Sequence, residues 1–405
     1  MMKKLVISFL IFFLLSNILP TFALSDNSIK IDAKAYLLMD PITGRILLGK
    51  NINGKKAMAS TTKIMTAIVA LEEGELGSKV QVSKRAAGIG GSSFRLLPKE
   101  EMSLENMLYG LLLSSGNDAA IAIAEHISGS VEGFVELMNK KALELGAINT
   151  HYINPHGLDA PGHYSTAEDL AIIARYALNI PKFREIVNTK EKTIEEGNFT
   201  RKIVNTNKLL WSFDGADGIK TGYTGKAGRC LVASAVKNDI QLLSVVLGTR
   251  DHFKNSKVLL DYGFSNYKLV KAIEKSKCSN VVNVENGKED KVFIQAKDDI
   301  FIPKAENEEM RLEMVIPNKI KAPILKNQQI GVAYVYINDK AVYSTPMIAK
   351  KDIKEKTLSD VIYDIFRIWL DINKHLSSLS NLSNKSALKL NPRITLDRGW
   401  SFGSI

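Results

Sequence analysis

Apolar positions along the chain change their period twice, and each change marks a boundary between kinds of element. In "AMASTTKIMTAIVALEE", residues 57–73, Ile64, Ala67, Ile68 and Leu71 recur at three- and four-residue steps, which predicts a half-buried helix with one face on a core. The runs "LENMLYGLLL", "DAAIAIAEHI" and "GFVELMNKKALELGA" repeat that spacing between residues 104 and 149 and predict further helices. "STAEDLAIIARYAL" predicts one more, opened by a capping box of Ser165 with Glu168. On either side of this helical middle the pattern shortens. "AYLLMDPITGRILLGKN" holds two apolar runs about Pro41 and Gly44, and "CLVASAVKNDIQLLSVVLGT" holds two hinged near Asn238 and Asp239. Strands that bracket helices predict an α+β fold, an antiparallel sheet packed with a helical cluster over residues 28–275.

From about residue 277 short β-like runs take over, among them "KVFIQA", "RLEMVIP" and "IGVAYVYIND", with turns at "ENGKED" and around Asn338. They predict a small all-β C-terminal domain over 277–350, with its boundary between 272 and 280. Helical spacing returns at 356–375. Leu358, Val361, Ile362, Ile365, Phe366, Ile368, Trp369 and Ile372 share one broad face, opposite Asp360, Asp364, Arg367 and Asp371. Such a helix suits a membrane interface, although the three aspartates weaken attraction to anionic lipid. Docking of the same face on the protein's own body is the alternative. Residues 376–405, rich in Ser, Asn and Leu and then aperiodic, read as an unstructured tail.

Composition adds compartment and partners. At 405 residues and 45% hydrophobic the chain can bury two cores. Its start, "MMKKLVISFLIFFLLSNILPTFALS", sets Lys3 and Lys4 before an apolar stretch and the small residues Thr21 and Ala23, the layout of a signal peptide over 1–23. An uncleaved anchor is the alternative, and either places the working part outside the cytoplasm. The net charge of +11 suits anionic lipid or wall polymer. Nucleic acid is not expected, because no Arg/Lys cluster is interleaved with aromatics. Two cysteines, Cys230 and Cys278, build no disulfide framework and read as free thiols.

Ser-x-x-Lys occurs four times, at Ser60/Lys63, Ser234/Lys237, Ser265/Lys268 and Ser386/Lys389, so the spacing alone says little. Only Ser60 precedes both Ser115-Gly116-Asn117 and Lys220-Thr221-Gly222. The residue types make chemical sense together. A serine hydroxyl needs a nearby base, and Lys63 one turn away can serve if burial and a second cation, Lys220, keep it neutral. Ser115 would pass a proton to the leaving nitrogen, and the Asn117 amide would hold substrate or Lys63, although Ser-Gly-Asn is also an ordinary interhelical turn. Lys220, Thr221 and Gly222 read as a strand edge that binds the substrate backbone and its terminal carboxylate. A literal "SDN", Ser25-Asp26-Asn27, lies at the expected mature amino terminus before Ser60 and is set aside.

These three motifs in this order are those of active-site serine penicillin-binding proteins and class A β-lactamases. "SSGNDAA", "NPHGLDAPGHYSTAEDLA", "NKLLW", "DGIKTGYTGKAG" and "VVLGTR" closely resemble the low-molecular-mass D-alanyl-D-alanine carboxypeptidases, and "KAPILKNQQIGVAYVYINDKAVYSTPMIA" extends the likeness into the β-domain. The resemblance implies a β-lactamase/transpeptidase-like fold, an oxyanion hole at the backbone N–H groups of Ser60 and Tyr223, and support of the carboxylate site by Arg250, which could equally be a strand-end surface charge. It marks "RAAGIGGSSFRLLPKEE" as a mobile loop beside the serine. The implied activity is release of the terminal D-alanine from peptidoglycan stem peptides ending in D-Ala-D-Ala, through an acyl-enzyme on Ser60 that β-lactams would also form. No cofactor or metal is expected. His156 and His163 invite a Ser-His-Asp or metal reading, but no G-x-S-x-G elbow or H-E-x-x-H helix accompanies them, and they read as loop pins. The rivals are a β-lactamase, a DD-endopeptidase and a non-catalytic wall-binding scaffold. The first would need a carboxylate for deacylation, and Glu168 reads as spent on its cap.

Overall fold

Two distant stretches of chain meet in one five-stranded antiparallel sheet. In this computed structural model, which describes residues 29–196 and 199–387, its strands are β1 (Ala33–Met39), β2 (Ile46–Lys50), β3 (Ala216–Thr224), β4 (Gly228–Lys237) and β5 (Ile240–Thr249). Their order is β2-β1-β5-β4-β3. The expected signal peptide over 1–23, Ser25-Asp26-Asn27 and residues 388–405 lie outside the described residues. The hinge between β4 and β5 is a two-residue turn in which Asn238 (φ 49°) and Asp239 (φ 62°) take left-handed backbone, the geometry that matches strand twist in tight hairpins. β5 is apolar without alternation because both faces are covered. Leu243, Val245 and Leu247 pack into the helical core, while Leu242 and Val246 pack with Leu259 and Leu260 of the helix His252–Asn266.

On the first face sit α1 (Lys63–Glu73), α2 (Leu104–Leu112), α3 (Asn117–Ser128), α4 (Val131–Glu144) and α5 (Ala167–Ala177). Two expectations are corrected here. α1 is not half-buried: every residue from Lys63 to Ala70 is enclosed, because α2, α3, α4 and α5 surround it. Ser60 lies ahead of it in a 3-10 turn, Ala59–Thr62, rather than on the helix itself. The cap of α5 is Thr166, whose Oγ1 accepts the Asp169 N–H at 3.0 Å. Ser165 is still extended at that point, exchanging backbone hydrogen bonds with Lys56, so the helix starts one residue later and Glu168 is not its cap partner.

The chain divides at Val270, a few residues before 275, and Ile302–Glu308 returns to the first unit. There Arg45 donates to the Pro303 carbonyl at 3.0 Å and pairs with Glu308, contacts too far apart in sequence to leave a local pattern. The second unit, Lys271–Phe301 with the chain from Glu309, is built on a mixed sheet. Its strands are β6 (Ser279–Glu285), β7 (Lys291–Ala296), β8 (Met310–Val315), β9 (Lys319–Lys321), β10 (Gln329–Ile337) and β11 (Lys340–Ala349). They run in the order β8-β10-β11-β7-β6-β9, antiparallel except for β6 with β9. Cys278 is buried against Met314 and Met347, Cys230 is buried in β4, and both thiols are free.

The last helix, Leu358–Ala387, corrects the expected tail, since it continues twelve residues past 375. Ile372, Leu376 and Leu379 keep the four-and-three spacing, and extending an existing helix adds a hydrogen bond for each residue fixed. Val361, Ile362, Ile365, Phe366, Ile368, Trp369 and Ile372 are all exposed. Among the described residues no helix is long and apolar enough to cross a membrane.

Candidate active site

Ser60 and Lys63 meet because the 3-10 turn feeds directly into α1. Lys63 Nζ lies 3.0 Å from Ser60 Oγ, 2.7 Å from Asn117 Oδ1 and 2.6 Å from the His156 carbonyl oxygen. The Asn117 amide is oriented by its own Nδ2, which donates to the Gly90 carbonyl at 2.7 Å, so the oxygen must face the lysine. The lysine is fully buried. Burial holds it well below the ordinary lysine range, Lys220 lowers it further, and Asp118 opposes both. A neutral amine has two N–H groups and one lone pair. The two carbonyl oxygens accept the N–H groups, which turns the lone pair toward the Ser60 hydroxyl, the arrangement of a general base on its nucleophile.

The turn that carries Ser60 is held from three sides. Ala59 has left-handed backbone (φ 49°), and its carbonyl accepts the Thr62 hydroxyl at 2.8 Å. Thr62 Oγ1 lies 2.9 Å from His163 Nε2, while His163 Nδ1 accepts the Ile153 N–H at 3.0 Å, so the proton of this imidazole sits on Nε2. Gly157 (φ 92°) passes so close that a Cβ there would lie 2.0 Å from the Ala59 oxygen. From the far side Gly222 of β3 approaches, where a Cβ would lie 3.0 Å from Ser60 N. That contact brings the N–H of Ser60 beside the strand that carries Tyr223.

Electrostatics set the histidines apart from the chemistry. Burial, aided by Lys63, pushes His156 down to about 3, and burial pushes His163 down to about 4. Both are neutral, and their contacts are those of loop pins. Among the described residues no group of three or more His, Cys, Asp or Glu could hold a metal ion. Lys220 is buried at the middle of β3 and donates to the Thr221 carbonyl at 3.1 Å; burial lowers it to about 7.

Ser60, Lys63 and Asn117 are thus joined by direct hydrogen bonds, Gly222 by van der Waals contact and Lys220 through its field. Ser115 is buried two residues before Asn117, with left-handed backbone (φ 60°) in the turn ahead of α3. Thr221 Oγ1 lies 2.9 Å from Thr206 Oγ1. Arg250 is exposed just past β5, and no hydrogen bond ties it to Lys63 or Ser60.

Two functional groups escape motif reading. One is the His156 carbonyl, a backbone atom whose only trace is the turn composition of "NPHGLD". The other is Asp118, which accepts from Ser93 Oγ (2.6 Å), Phe94 N (2.8 Å) and Leu96 N (3.2 Å). These bonds tie down the segment expected to be mobile, and one of its glycines serves close approach: a Cβ on Gly91 would meet Asn117 Nδ2 at 2.7 Å.

Comparison with known proteins follows the same site. Residues 22–251 match the family model of D-alanyl-D-alanine carboxypeptidase, and residues 267–355 match the C-terminal domain of penicillin-binding protein 5. D-alanyl-D-alanine carboxypeptidase DacF of Bacillus subtilis is 38% identical over 372 residues, 87% of this chain and 95% of that protein. DacA of Escherichia coli is 33% identical, covering 84% of this chain and 88% of that protein. The crystal structure of penicillin binding protein 5 from Haemophilus influenzae superposes with a TM-score of 0.70 at 34% identity, covering 80% of this chain and 98% of that one.

Proposed function

The chain belongs to the serine D-alanyl-D-alanine carboxypeptidases acting on peptidoglycan, and on that premise we propose the role of each residue in the reaction. Ser60 gives its hydroxyl proton to the Lys63 lone pair as Oγ attacks the carbonyl carbon between the two D-alanines. The backbone N–H groups of Ser60 and Tyr223 receive the oxyanion. Ser115 passes the proton to the leaving D-alanine nitrogen, the C–N bond breaks, and an ester on Ser60 remains. Water, deprotonated by Lys63, then hydrolyses the ester. Asn117 fixes Lys63, Gly222 lets substrate lie along β3, and Lys220 with Thr221 receives the terminal carboxylate, with Arg250 in a supporting place. The observation that carries this reading is the Lys63 bond set: two carbonyl acceptors leave one lone pair for Ser60.

A β-lactamase requires a carboxylate free to activate water. Asp118 is engaged by the loop, and Asp159 by Thr224 Oγ1 (2.8 Å) and Lys226 N (3.3 Å), so neither of these two is free for that role.

Export through residues 1–23 and peripheral attachment through Leu358–Ala387 belong to the same proposal. The exposed Phe366 and Trp369 beside Ile362 and Ile365 support a membrane interface over docking on the protein's own surface.

The test is free D-alanine released from an acyl-Lys-D-Ala-D-Ala peptide by the full chain. Release should vanish in Ser60→Ala and after penicillin treatment. Release by Ser60→Ala at the native rate would remove Ser60 from its role.

A further inference from the structure

The mixed sheet ends in two unlike edges. β9 is three residues long and starts and ends in lysine, which discourages pairing with another chain. β8, Met310–Val315, is six residues of unbroken register against β10 with no lysine or proline, and all six are exposed. Met310, Leu312 and Met314 stand opposite the buried Ile337, Val335 and Ala333 of β10, yet each is 37–39% exposed. The core face therefore runs out to an open edge, with unpaired backbone groups beside uncovered apolar side chains.

We propose that this edge pairs antiparallel with β8 of a second copy of the chain, about a two-fold axis at Leu312. Side-chain direction alternates along a strand, so a two-fold axis normal to the sheet must set one residue opposite itself. An axis at Arg311 opposes two guanidiniums, and an axis at Glu313 opposes two carboxylates. An axis at Leu312 sets each Arg311 opposite the second copy's Glu313, and each Met310 opposite the second copy's Met314. Among the three axes at the middle of the strand, charge complementarity thus selects one register, and in it the two apolar ledges cover each other. Within one chain Arg311 and Glu313 already pair at 2.6 Å on the outer face, with Arg311 over the Tyr336 ring at 4.3 Å, so both charges are in place to bridge copies.

The test uses the full chain. Directly opposed residues of an antiparallel pair have Cα atoms about 4.5–5.5 Å apart, inside the span a disulfide bridges. Leu312→Cys should therefore give a disulfide-linked dimer on mild oxidation. Val315→Cys, which is not opposed to itself, should not, and the native thiols are buried. In sedimentation velocity Arg311→Glu should weaken the dimer about tenfold, since two cross-strand pairs turn from attraction to repulsion. The double swap Arg311→Glu with Glu313→Arg should restore it, and D-alanine release should stay unchanged throughout. A monomer up to about 100 µM, in the range of weak association, would overturn the proposal. So would a dimer indifferent to Arg311→Glu, as association through the last helix would be, or one found only with an unrelated protein on β8.

Discussion

Asn117→Asp tests whether Lys63 works as a neutral base. The substitution keeps the shape of the side chain and places a carboxylate oxygen 2.7 Å from Lys63 Nζ. With an effective dielectric of about 20, Coulomb attraction at that separation is about 6 kcal/mol in favour of the ammonium. The new carboxylate is itself buried and loses the Gly90 hydrogen bond, so about half of that, ~3 kcal/mol, is the realistic gain for the charged form. The direction is upward from a value that burial and Lys220 hold far below the lysine range. Acylation by fluorescent penicillin at pH 7 should then fall on the order of 100-fold. It should climb about tenfold per pH unit until the raised value is passed, as the neutral fraction of a base does. Native protein, with Lys63 held lower, should level off at a lower pH than Asn117→Asp. Asn117→Ala, which removes the acceptor without adding charge, should lose far less. If Asn117→Asp is acylated within threefold of native at pH 7 with an unshifted profile, while its Tm shows it folded, Lys63 is not the base.

Gly157→Ala should destabilise by about 3 kcal/mol or more, because left-handed backbone strain adds to a Cβ 2.0 Å from the Ala59 oxygen. Calorimetry should show a Tm lower by about 6 °C or more, and Gly90→Ala, where a Cβ meets nothing within 4 Å, serves as the neutral control. Lys220, lowered by burial to about 7, loses its proton as pH rises through that value, so kcat/KM for a D-Ala-D-Ala peptide should decline on the alkaline side from near pH 7. Lys220→Arg stays charged and should carry that decline to much higher pH; an unmoved decline would separate Lys220 from carboxylate binding.

What could be read in the chain divides by the range of the interaction that fixes it. Hydrophobic period depends on neighbours three or four residues away, so the helices after residue 104, both strand pairs and the short strands beyond 277 stood out in order. The three motifs likewise announced their chemistry, because a serine nucleophile, an amine base and a cationic strand edge each need particular side chains. Other features needed contacts that no local spacing records. The enclosure of α1 comes from α2, α3, α4 and α5 around it. The true cap of α5 at Thr166 follows from Ser165 pairing with Lys56, 109 residues away. The acceptors that leave Lys63 a free lone pair lie 54 and 93 residues along the chain, and one is a backbone carbonyl with no residue identity to read. The sequence by itself determined which groups the protein owns and which local elements carry them. Only the tertiary structure decided that Lys63 is buried, held well below the ordinary lysine range and hydrogen-bonded to Ser60, because desolvation and through-space fields depend on what the whole fold brings near a charge.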